Sequence, residues 1–117
     1  MKRLEGGVKM NAEEIWRRLV TEGVENPIEL KTKRGLHFKL ISNGEFLTVY
    51  KSQIEPSSKL KIPRPIYKEN FEKVFPYYER WTIGEKGISK EITAITVNSV
   101  YIMAAISYKI NHFLGSK

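Results

Sequence analysis

The chain has 117 residues, long enough for one hydrophobic core and too short for two, and its 41% hydrophobic and 28% charged residues mark a globular rather than a disordered protein. It contains no Cys and no Asp and only two imidazoles, His37 and His112. Disulfides and thiolate metal sites are therefore excluded, and carboxylate-metal chemistry on phosphodiesters is disfavoured. The net charge is +7, and nine basic but only three acidic residues fall between Ile28 and Lys68, so six of the seven net charges belong to that third of the chain.

Residues 1–9 read as a tether ahead of a single domain at 10–117. Asn11 has the form of an N-cap with Glu14 three positions on, and Met10 and Ile15 sit where a hydrophobic staple places them. Ile15, Trp16, Leu19 and Val20 form an apolar stripe, and Gly23 stands at a natural C′ position, which predicts a helix over 12–22.

A three-stranded antiparallel meander is expected next. Asn43-Gly44 is a two-residue hairpin signal of type I′, pairing Leu40 with Leu47, Phe38 with Val49 and His37 with Tyr50. An earlier loop, Lys33-Arg34-Gly35, pairs Thr32 with Leu36, Leu30 with Phe38 and Ile28 with Leu40. Both registers send Ile28, Leu30, Leu36, Phe38, Leu40, Leu47 and Val49 to one core face. The opposite face carries Glu29, Lys31, His37, Lys39, Thr48 and Tyr50, with Ile41 and Phe46 at its far end.

Residues 52–66, with Pro56, Pro63 and Pro65, read as an extended connector tacked down by Ile54, Leu60 and Ile62. Phe71, Val74, Phe75, Tyr78 and Trp81 recur at helical spacing, with Pro76 breaking the run near Phe75. Residues 82–97 carry mixed signals, a short helix from Ser89 being one reading. A last helix runs from Ser99 to Leu114, with Asn98 as its cap and Gly115 as its stop. Its apolar surface is broad enough for packing on more than one side or for a partner subunit.

The basic third supplies the candidate site. Lys31, Lys33, Arg34 and Lys39 place cations beside His37 and Tyr50, and Lys59, Lys61 and Arg64 extend the charge along the connector. Cations neutralise phosphates and rings stack on unpaired bases, so these nine residues read as a surface for DNA or RNA. The competing reading is an ordinary solvated sheet face, with Glu29 pairing Lys39. A second function class is an interaction or oligomerisation domain, a homodimer included, using Tyr101, Ile102, Ala105, Ile106 and Phe113 of the last helix.

Catalytic patterns are thin. No Gly-rich phosphate loop or nucleophile elbow is present. His37 beside Tyr50 is an acid-base pair without a third member, and Gly87-Ile88-Ser89 resembles a helix-turn-helix turn without a convincing first helix. His112 falls near a helix C-terminus, where the dipole favours a partly positive ring.

Phe46-Leu47-Thr48-Val49-Tyr50-Lys51-Ser52, Asn70-Phe71-Glu72-Lys73-Val74, Ile88-Ser89-Lys90-Glu91-Ile92 and Ser99-Val100-Tyr101-Ile102 together loosely resemble a group of small uncharacterised bacterial proteins. In these a hairpin precedes two helices and a Ser-Tyr-hydrophobic motif opens the last one; here Val100 separates Ser99 from Tyr101. The resemblance spans about residues 36–110 and implies an α+β fold without an attached activity.

The expectation is a single α+β domain: an N-terminal helix, a three-stranded antiparallel meander, and two to three C-terminal helices on one sheet face. The expected function is a non-enzymatic binding module for nucleic acid that needs no cofactor or metal. The longest uncharged run, Ile92 to Tyr108, is broken by Thr, Asn and Ser, so no membrane partner is expected. With no Cys and no secretory pattern, the expected location is the cytoplasm.

Overall fold

In the computed structural model, which describes the backbone of residues 11–115 and the side chains of residues 11–111, Asn11 opens the first helix as its sequence predicts. Its Oδ1 accepts the Glu14 N–H at 2.8 Å, satisfying one of the orphan donors of the first turn. The helix, α1, spans Ala12–Glu25 and buries Ile15, Trp16, Leu19 and Gly23. The predicted tether at residues 1–9 lies outside the described residues.

Gly23 does not end α1. It lies within the last turn, where a Cβ would stand 3.0 Å from the Ser42 Cβ and 3.1 Å from the Ser42 backbone nitrogen. The glycine serves close approach of helix to sheet, and the helix stops at Asn26, whose N–H bonds the Glu22 carbonyl, just before Pro27.

The sheet has four antiparallel strands in the order β1 (Ile28–Lys31), β2 (His37–Ser42), β3 (Leu47–Lys51) and β4 (Arg64–Ile66). The β1–β2 register is the predicted one, with Ile28 opposite Leu40 and Leu30 opposite Phe38. The β2–β3 register differs by two residues: Leu40 lies opposite Val49 and Lys39 opposite Tyr50.

The cause is the turn. Asn43 has no positive φ while Gly44 sits at +96°, so the type I′ turn, which needs both, is not formed. Instead the Asn43 side chain accepts the N–H groups of Glu45 and Phe46 at 2.8 and 3.0 Å, and the Asn43 N–H donates to the Phe46 carbonyl, so the turn centres on Gly44-Glu45, one residue later than predicted. A slip of two preserves the alternation, so the predicted core face survives. Ile28, Leu30, Phe38, Leu40, Leu47 and Val49 are all buried; Leu36, in the turn, is half-buried.

The fourth strand arises from the proline-containing connector. β4 is an edge strand, the one place where Pro65 can lack its N–H without breaking a ladder on both sides. It pairs Leu47 with Ile66 and Thr48 with Pro65.

The helices cover one sheet face. Lys68–Val74 (α2) ends at a 3₁₀ turn over Phe75–Tyr77, with Pro76 in it, and Tyr78–Thr82 (α3) follows. Ile88–Ile95 (α4) forms despite its β-branched run because Ile88 and Ile92, one turn apart, are both buried. Ser99–Gly115 (α5) packs against β1, α1, α2, α3 and α4, and the Tyr101 ring meets Phe38 edge-on at 5.0 Å. The carbonyl of Asn98 takes the first helical bonds, but its side-chain amide reaches Pro65 instead of capping the helix.

Among the described residues, no helix is long and apolar enough to cross a membrane.

Candidate nucleic-acid interface

Among the described residues, no helix packs on the other face of the sheet. Residues opposite one another in an antiparallel pair share a face, so the registers order its side chains into rows. Lys31 lies beside His37; Glu29, Lys39 and Tyr50 form the next row; Ile41, Thr48 and Pro65 the next. Beyond them Phe46 and Tyr67 continue the β3–β4 alignment, their ring centroids 4.9 Å apart at 44°. Tyr67 is extended (φ −99°, ψ 153°), carrying the strand one residue past β4 before α2 begins.

Lys39, rather than His37, is thus the neighbour of Tyr50, which sets a cation beside the ring. The His37–Tyr50 juxtaposition that an acid-base reading would need is not formed. His37 lies beside the connector, bridged to Ser57 in parallel: its backbone N–H donates to the Pro56 carbonyl and its carbonyl accepts the Ser58 N–H, both at 2.8 Å. The ring Nδ1 stands 3.9 Å from the Glu29 carboxylate. Ser52 donates its hydroxyl to the same Glu29 oxygen and accepts the Ile54 N–H at 2.9 Å. His37 belongs to a polar cluster that pins the connector to β2, and its side chain is only 21% exposed. It offers little ring surface for stacking.

Glu29 is occupied by this cluster, and the Glu29–Lys39 ion pair of the competing reading is absent among the described residues. The helical layer behaves differently. Arg17 and Arg18 meet Glu14 at 2.8 and 2.6 Å, and Arg80 meets Glu85 and Glu91 at 2.6 and 3.0 Å. These guanidinium hydrogen bonds hold the Glu14 and Glu85 carboxyls below the usual range and raise that of Arg80. Among the described residues no carboxylate pairs with Lys31, Arg34, Lys39, Lys51, Lys59, Lys61 or Arg64.

The nine predicted contact residues are therefore only partly brought together. Lys31, His37, Lys39 and Tyr50 share the open face. Arg34 is exposed in the β1–β2 turn, and Lys59 and Lys61 are exposed on the connector. Arg64 stands opposite Val49 and so belongs to the helix side of the sheet. Lys33 also turns away: its Nζ donates to the Trp81 carbonyl at 3.0 Å and sits 4.6 Å over that ring, at a cleft of about 380 Å³ that Tyr108 and Asn111 also line. Backbone position alone does not tell a long cation which layer it will follow.

Phe46 and Tyr67 were not among the predicted contacts. The signal was present in the alternation Arg64, Pro65, Ile66, Tyr67, which puts Tyr67 on the face of Pro65 once the segment is a strand.

The predicted interface on α5 is used up inside the molecule. Tyr101, Ile102, Ala105 and Ile106 are 8, 1, 1 and 0% exposed. A helix apolar on most sides is here a central helix rather than a docking face. The side chains of His112 and Phe113 lie outside the described residues.

Compared with family models, curated proteins and solved structures, the chain matches none.

Proposed function

We propose that this chain is a non-enzymatic binding module that engages nucleic acid, chiefly through phosphates, on the uncovered face of its sheet. One observation carries the reading: among the described residues, Lys31 and Lys39 occupy a face with no helix on it and have no carboxylate partner. An unpaired lysine pair on an open surface keeps its field available to an anion, whereas the helical layer spends its arginines on internal ion pairs. Arg34, Lys59 and Lys61 are the peripheral contacts.

Phosphate contacts release counterions, so affinity must fall with salt. The test is binding of nuclease-treated protein to labelled DNA and RNA oligonucleotides between about 50 and 200 mM salt, beside a Lys31→Glu/Lys39→Glu variant. The double reversal is expected to weaken binding at least tenfold at low salt. Affinity indifferent to salt, or a reversal without effect, would refute the reading.

Self-association through α5 is the weaker reading, because the residues that would carry it are buried in the single chain.

A further inference from the structure

The two halves of the open face differ in chemistry. Its cations, Lys31 and Lys39, stand on β1 and β2, and its aromatic rings, Tyr50, Phe46 and Tyr67, stand on or beside β3 and β4. Tyr67 is 49% exposed with the Phe46 ring beside it, while Tyr50 and Phe46, which also packs against the core, are half-buried. A tyrosine of that exposure beside a second ring is a flat apolar surface facing water.

From this division we infer that the ligand is a single strand, running along the strand direction with its phosphates over the β1–β2 half and its bases over the β3–β4 half. This deepens the nucleic-acid reading and rests on it. Tyr50 and Tyr67, the latter backed by Phe46, would each receive a base. They are four residues apart along one strand direction, about 13 Å at the strand rise. Splayed bases of a single strand can bridge two such stations, while a duplex keeps its bases stacked inside and offers only backbone to a sheet. Lys39, directly opposite Tyr50, then neutralises the phosphate next to the stacked base. Because every base has a π face, the site discriminates strandedness and tolerates sequence.

The experiment compares oligo-dT and oligo-U with matched DNA and RNA duplexes at constant salt, for the parent chain and for Tyr67→Ala, Tyr67→Trp and Tyr50→Leu. Single strands should bind at least tenfold more tightly than duplexes. Tyr67→Ala should lose about tenfold in single-strand affinity, the order expected for one stacked base, with the salt slope and thermal midpoint unchanged. Tyr67→Trp should restore the loss. Light-driven crosslinking of 5-iodouridine oligonucleotides to the parent chain should label Tyr67 or Tyr50.

Equal, salt-dependent affinity for single and double strands would overturn this inference and leave the phosphate reading standing. So would a Tyr67→Ala variant that binds single strands as the parent does. Failure to bind any of these polymers at low salt would overturn both.

Discussion

At the scale of single residues, two glycines are required for different reasons. Alanine at Gly23 would gain about 1 kcal/mol of helix propensity, yet its methyl would press on the Ser42 Cβ and backbone, which cannot swing aside. Overpacking of this kind costs about 1–3 kcal/mol, so Gly23→Ala should be a net loss. At Gly44 nothing lies within 4 Å of an added Cβ, and the cost comes from its φ of +96° alone, about 1 kcal/mol. Urea denaturation of both variants checks this, and a stabilised Gly23→Ala would mean that α1 can move off the sheet. Tyr108 makes a third case. Burial first, and then its hydrogen bond to the Glu22 carboxylate, push its hydroxyl from the ordinary 10.0 up to about 12. The fold favours the neutral phenol, so this stability is complete below pH 10 and is lost as pH rises toward 12. Thermal melts across that range should fall more steeply for the parent chain than for Tyr108→Phe.

Among the elements, α5 organises the rest. Tyr101 through Ile106 are consecutively buried, so truncations there open cavities. Ile106→Ala should cost about 2–5 kcal/mol in denaturant unfolding. Ile106→Glu should unfold the chain outright, not dissociate a dimer. Near its C-terminal end α5 is tied to α1: Lys109, whose side chain is 8% exposed, bonds the Glu22 carboxylate that Tyr108 also holds. Lys109→Ala should cost about 2 kcal/mol, below the usual loss for a buried pair because Glu22 is itself 35% exposed. Lys109→Met should recover part of that by restoring the packed stem. Equal stability of all three chains would make the pair a spectator.

For the molecule as a whole, charge is sorted by layer. Among the described residues, cations of the helices are largely paired with their neighbours, while those of the open face and connector are not. Position, then, should matter more than net charge. Lys73→Glu/Lys90→Glu changes the total by as much as Lys31→Glu/Lys39→Glu but acts on α2 and α4. It should leave oligonucleotide affinity within about twofold, since exposed charges beyond a Debye length are screened. The sheet-face reversal should instead flatten the log affinity against log salt slope by about 1.4, two phosphates at 0.7 each on a single strand. Equal losses in the two variants would reduce the effect to net charge.

The sequence by itself determined whatever depends on neighbours close along the chain. The Asn11 cap, the core face of the first three strands, the break at Pro76 and the span of α5 follow from capping chemistry and from periods of two and 3.6 residues. Tertiary structure decided whatever depends on distant partners. The register that sets Lys39 beside Tyr50 is an exception of local origin: the Asn43 side chain takes the N–H groups of Glu45 and Phe46 and moves the turn, while both registers keep the same core face. The connector became β4 because an edge of β3 was free to receive it, and that pairing brought Tyr67 to the open face. Lys33 followed Trp81 because its long stem reaches whichever layer offers a carbonyl and a ring. Alternation fixes the face on which a short side chain lies; the company a long or edge residue keeps is settled by the surfaces that folding brings within its reach.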